Sequence, residues 1–285
     1  MKEYPVFLPY RDEHLAAVLT VPPSDPSGLV MLLSGTGAPR SHRFQLWTRV
    51  ARDLATVGLA SIRMDYRGTG DSTGRLLQPV LGDRRLEQAT VVARFGMQVL
   101  SLDRLAVVGN CSGAIVALGL AAQMPECERA FCIMPRLVEP RGVSRAAMEV
   151  RKTGLAAVAR RSALLRRLVT RTLRGRRDTP SDAVRMSFGP ALDHARVLFI
   201  YSDADQDPYV ERSRRLLDRM AAQLSPERRE HLEIETIRDG PLHGFESLPV
   251  QARVKERILR WVPQAFLQDV SGLERSASHE PGVPV

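Results

Sequence analysis

From Leu29 onward, short apolar runs alternate with stretches whose apolar residues recur at helical spacing, and this alternation restricts the possible folds more than any other feature. Leu29 to Leu33 reads as a buried strand ending at Ser34-Gly35-Thr36-Gly37. Phe44, Leu46, Trp47, Val50 and Leu54 then mark one face of a helix over 44–57. Leu59 to Met64 predicts a strand, 86–100 a helix, Leu105 to Val108 a strand, Ala114 to Ala122 an apolar helix stopped at Met124-Pro125, and Ala130 to Met134 a further strand. The rhythm resumes with a strand at Val197 to Ser202, a helix over 210–224, a strand at Leu232 to Ile237 and a helix over 250–262. Repeated β-α units demand parallel strands, right-handed crossovers and helices on both faces, so the expected class is α/β with a doubly wound, mostly parallel sheet. Ahead of it, Tyr4 to Tyr10 and His14 to Val21 read as an antiparallel pair closed by Pro22 and Pro23.

The pattern breaks between Leu137 and Leu192, where no strand is evident. Arg151 to Arg177 holds ten Lys or Arg and no Asp or Glu, with Leu155, Val158, Leu165, Leu168, Val169 and Leu173 at helical spacing. The expected organisation is a core over 1–136, an inserted helical, basic cap over 137–192, the core resumed over 193–268, and a mobile tail over 269–285 with little apolar periodicity.

The net charge of +9 is therefore concentrated in one segment, without which the chain is close to neutral. A solvated helix face accounts for it. A docking surface for coenzyme A, phosphopantetheine or an acidic carrier protein, or an amphipathic membrane-surface helix, are the functional alternatives. Nucleic acid is not expected, because the stretch has no interleaved aromatics and no known module. Three cysteines make no even framework and have no histidines at zinc-ligand spacing, and no glycine loop for a nucleotide is visible. No metal and no cofactor are expected. The charged, proline-bearing start MKEYPVFLPYRDEH and the absence of an 18-residue apolar run predict a cytoplasmic protein without a transmembrane segment.

The chemistry concentrates at the strand-to-helix junction Gly109-Asn110-Cys111-Ser112-Gly113, where glycines flank Cys111 two places away on each side. A residue presented on so sharp a turn has strained backbone angles, and its neighbours at plus and minus two must be tiny. The following helix points its N-terminal dipole at the same place and favours the thiolate. Taking Ser112 as the centre would put Asn110 where a tiny residue is required, so Cys111 is the candidate nucleophile. Cys127 and Cys132 read as small core hydrophobes.

These motifs resemble the α/β-hydrolase superfamily, in its broad branch of esterases, thioesterases and serine aminopeptidase-like hydrolases. That family keeps nucleophile, acid and histidine in this chain order. The resemblance places the acid at Asp205, with Asp203 and Asp207 as alternatives in the same turn. It places the base at His243, in Asp239-Gly240-Pro241-Leu242-His243-Gly244-Phe245. It also implies an oxyanion hole from the N–H groups of Ser112 and Thr36, with Gly35 and Gly37 lining the substrate site and Ser34 standing where the family commonly has histidine. Asp65-Tyr66-Arg67-Gly68-Thr69-Gly70-Asp71-Ser72 resembles a pocket-floor loop without chemistry of its own.

A Cys-His-Asp set of this kind implies acyl transfer or hydrolysis of an activated ester, lactone or thioester, the small-molecule acyl group being free or linked to coenzyme A or a carrier protein. Two alternatives remain open. His243 acting alone as base would eliminate a carboxylate, as a lyase does; or the fold would bind a ligand without catalysis.

Overall fold

The computed structural model describes residues 1–35, 37–76, 83–138, 178–205, 207–238 and 240–266, with the backbone alone at Asp83 and His243. An antiparallel hairpin, β1 (Lys2–Tyr10) and β2 (Glu13–Val21), opens the chain. There follow β3 (Leu29–Leu33), α1 (Leu46–Thr56), β4 (Ala60–Met64), α2 (Asp83–Leu100), β5 (Leu105–Asn110), α3 (Ser112–Gln123) and β6 (Cys127–Ile133). After residue 177 come α4 (Asp182–Ala191), β7 (Arg196–Ser202), α5 (Pro208–Ala221), α6 (Pro226–Glu230), β8 (Leu232–Ile237) and α7 (Leu248–Trp261).

The eight strands form one sheet in the order β1-β2-β4-β3-β5-β6-β7-β8, parallel from β4 to β8, with β2 antiparallel to β4. β3, β4 and β5 are buried along their whole length, which is what continuous apolar runs require when helices cover both faces. Two groups of helices supply the cover: α1 beside α7, and α3 between α2 and α4. In α1 the buried Leu46, Trp47, Val50, Ala51 and Leu54 recur every three or four residues, the spacing that makes one apolar face.

The expected elements all appear, with ends moved by a few residues. The short helix α6 went unforeseen, although Ser225 accepting the N–H of Arg228 and Pro226 in the first turn are ordinary helix-start chemistry. Of the expected cap over 137–192, residues 139–177 lie outside the described residues, as does the expected tail over 269–285. The described chain on the two sides of residues 139–177 is tied together: Val138 bridges Pro180, and the Ser181 N–H donates to the Leu137 carbonyl. Among the described residues no helix is long and apolar enough to cross a membrane.

Candidate active site

Every candidate residue follows the C-terminal end of a parallel strand: the 34–42 loop after β3, Cys111 after β5, Asp205 after β7 and His243 after β8. In open α/β sheets that edge is where crevices form, because loops splay apart there while the strands behind them stay rigid.

Cys111 stands between β5 and α3 with φ 52° and ψ −117°, a conformation that L-residues rarely adopt. Its N–H donates to the Ile133 carbonyl at 2.9 Å, which anchors the turn to β6. The flanking glycines are required by close backbone approach. A Cβ on Gly109 would lie 2.3 Å from the Gly113 carbonyl oxygen, and one on Gly113 would lie 2.7 Å from the carbonyl oxygens of Leu33 and Ser34. Cys111 is partly exposed, whereas Cys127 and Cys132 are buried in the core. Burial pushes the Cys127 thiol up to about 12 and raises that of Cys132 as well.

The loop after β3 abuts the turn. Gly35 donates its N–H to Asn110 Oδ1 at 3.0 Å, and a Cβ on Gly35 would come within 3.1 Å of the Cys111 Cβ. Thr36, the expected second oxyanion donor, lies outside the described residues. Gly37 has φ 76°, the left-handed conformation that favours glycine. Ser112 opens α3, and its hydroxyl accepts from Arg85 Nη1 at 2.9 Å.

In the turn after β7 the three carboxylates part company. Asp203 is exposed and pairs with Arg214 at 2.8 Å. Asp207 caps α5 by accepting the Tyr209 N–H at 2.8 Å and pairs with Arg136. Asp205, between them, is half-buried, and its N–H reaches the Ser202 carbonyl at 3.4 Å. His243 begins a short 3-10 turn, His243–Phe245, in which Gly244 has φ 66°. Its side chain lies outside the described residues.

The segments carrying these residues are cross-linked. Ser202 Oγ donates to the Gly240 carbonyl at 2.7 Å, joining the acid turn to the histidine loop. Buried Gln251 donates to the Phe245 carbonyl at 2.7 Å and holds that loop from α7. His42 was missed by sequence reasoning. Its Nε2 lies 3.2 Å from the Asn110 amide nitrogen, its Nδ1 accepts the Arg43 N–H at 2.8 Å, and its ring meets Phe245 and Trp47 edge to face. Burial, with the Arg43 charge adding to it, lowers this imidazole to about 4, so it is neutral at physiological pH. A lone histidine in an otherwise polar loop carries no sequence signal for such a place.

Asp65 is fully buried. It accepts the Arg40 and Asp71 N–H groups and the Arg40 guanidinium, tying the loop after β4 to the loop after β3. Arg85, also unforeseen, lies over the Tyr66 ring at 5.1 Å. Among the described residues no cluster of His, Cys, Asp and Glu is arranged to hold a metal.

The sheet order, the strained turn after β5 and the clustering of loops at one sheet edge define a hydrolase-type α/β architecture. The chain belongs to the α/β-hydrolase fold family, whose model matches residues 28–176. Among solved structures it is similar to an esterase from Pyrococcus furiosus, at 17% identity over 91% of each chain with a TM-score of 0.57. It is similar to an alpha-beta serine hydrolase homologue from Coxiella burnetii, at 16% identity over 91% of this chain and 97% of that one, TM-score 0.58. It also resembles the thioesterase domain from the curacin biosynthetic pathway, at 14% identity over 91% of this chain and all of that domain (100%), TM-score 0.55. No curated protein sequence matches it.

Proposed function

We propose that this chain is an acyl-transferring enzyme that uses Cys111 as nucleophile, His243 as base and Asp205 to orient the histidine, on an activated ester, lactone or thioester. The observation that carries the reading is the backbone of Cys111. A positive φ on a non-glycine residue costs stability, and it persists here at a turn packed so tightly that neither flanking glycine can take a side chain. A cysteine used only as core filling has no need of such a turn.

Asp205 is assigned as the acid because it falls at the family's acid position, in the turn that follows β7. His243 takes the proton from the Cys111 thiol, and the thiolate attacks the acyl carbon. The carbonyl oxygen becomes an oxyanion held by the N–H groups of Ser112 and Thr36. Collapse expels the leaving alcohol or thiol, which takes the proton back from His243, and leaves a thioester on Cys111. Water or an acceptor alcohol then releases the acyl group and restores the thiol. A thioester intermediate is a good acyl donor, which suits substrates that are already activated, including acyl groups on coenzyme A or a carrier protein.

The test is intact-protein mass after incubation with a panel of acyl thioesters and activated esters, on the parent and on Cys111→Ala. An acyl adduct on the parent alone is expected, and its mass reports the acyl class preferred. Turnover with no adduct at any time point, unchanged in Cys111→Ala, would overturn the reading.

A further inference from the structure

We propose that Asn110 is the positioning residue that sets the loop after β3 against Cys111, and so decides whether that loop can stabilise an oxyanion. This rests on the reading of Cys111 as an acyl-accepting nucleophile. Asn110 is the last residue of β5, directly before the strained turn, and is buried. Its Oδ1 accepts the Gly35 N–H at 3.0 Å. That N–H is therefore committed, and the oxyanion donor of this loop has to come from beyond residue 35. The spacing across the gap is tight: a Cβ on Gly35 would lie 3.1 Å from the Cys111 Cβ and 3.3 Å from the Asn110 carbonyl oxygen.

The amide of Asn110 is itself held in place. Its nitrogen lies 3.2 Å from His42 Nε2, and the His42 ring is fixed by the Arg43 N–H and by Trp47 and Phe245. Phe245 stands two residues after His243, so one buried contact chain runs from the Gly35 loop through Asn110 and His42 to the histidine loop. A side chain so constrained holds the backbone N–H bonded to it in one place, and donors aimed at an oxyanion lose most of their effect when displaced by about 1 Å.

Two reactions of the same thiolate separate this role from general support of the turn. Alkylation by iodoacetamide forms an S–C bond as iodide leaves and passes through no oxyanion. Acylation by p-nitrophenyl acetate adds the thiolate to a carbonyl, develops an oxyanion and then expels p-nitrophenolate. In Asn110→Ala, acylation of Cys111 is expected to slow by about 10- to 100-fold, the scale of a misplaced oxyanion donor, while alkylation stays within about threefold of the parent. Asn110→Asp keeps an acceptor oxygen for the Gly35 N–H, and its added charge acts on the thiolate and the oxyanion alike, so the ratio of the two rates should return to within about threefold of the parent. Asn110→Leu, close to asparagine in shape and without an acceptor for the Gly35 N–H, should show the same selective loss and serves if Asn110→Ala does not fold. Equal slowing of both reactions, or acylation at the parent rate, overturns the proposal. A parent that is alkylated but never acylated overturns the acyl-transfer reading instead, and this proposal with it.

Discussion

The hydroxyl of Ser202, the last residue of β7, donates to the carbonyl of Gly240, three residues before His243, across a gap of 2.7 Å. The same hydroxyl accepts the Ala204 N–H at 3.0 Å, so one buried oxygen shapes the turn that carries Asp205 and fastens it to the next loop. Ser202→Ala removes both bonds and should cost about 1–2 kcal/mol, the scale of a buried hydrogen bond with a carbonyl left unsatisfied. Urea unfolding measures that cost. Turnover of an activated ester should fall further than stability alone explains, because the segments carrying Asp205 and His243, the proposed acid and base, are no longer held in register.

Gly113→Ala should destabilise by about 3 kcal/mol, since the new methyl meets the carbonyl oxygens of Leu33 and Ser34 at 2.7 Å, and both are backbone atoms of fully buried residues. Gly37→Ala is the control. A Cβ there meets nothing within 4 Å, so only the φ of 76° resists it, and about 1 kcal/mol is expected. Thermal or urea denaturation of the two variants should rank them in that order.

Asp65→Asn should cost about 3 kcal/mol or more. The carboxylate is fully buried and partners the Arg40 guanidinium, which would keep only the exposed Asp71 as an ionic partner. Asp71→Asn breaks the other Arg40 pair, but its side chain is 60% exposed, so the loss should stay within about 0.5 kcal/mol. Equal effects in urea unfolding would mean that the loop after β4 is not held through Asp65.

His42 makes stability depend on pH. Its folded value of about 4 lies below its ordinary 6.5, so the unfolded chain takes up the proton first as pH falls. Stability contributed by the neutral ring is complete above pH 6.5 and drains away between there and about pH 4, by about 3 kcal/mol in total. The difference in unfolding free energy between pH 7 and pH 4 should therefore be about 3 kcal/mol smaller in His42→Gln than in the parent. An unchanged difference would mean that the ring is not buried neutral.

Thiol titration of the native protein with an aromatic disulfide should modify one cysteine quickly and the other two only on unfolding. Cys111 is partly exposed, while burial encloses Cys127 and Cys132 and holds both as thiols. Cys111→Ala should abolish the fast phase.

The order of elements, the parallel sheet and the turn around Cys111 were legible from the sequence because each follows from local rules. Strand and helix periods are set by backbone geometry, and a glycine at plus and minus two is a steric demand that one short segment records in full. The chain alone also brought out Asp205 with its two neighbours, and it marked Cys127 and Cys132 as core. The capping of α5 by Asp207, next to Pro208, is local chemistry that the chain carries, but it had no means of showing that Asp203 serves Arg214 and Asp207 also meets Arg136, because those partners depend on how α5 and the end of β6 come to lie against the turn. His42, Asn110 and Gln251 escaped for the same reason. Each acts on a residue between 6 and 75 positions away, through a single hydrogen bond or ring contact that leaves no period and no motif. Local sterics wrote the turn into the sequence; long-range packing, which only the folded sheet edge brings about, decided what holds that turn in place.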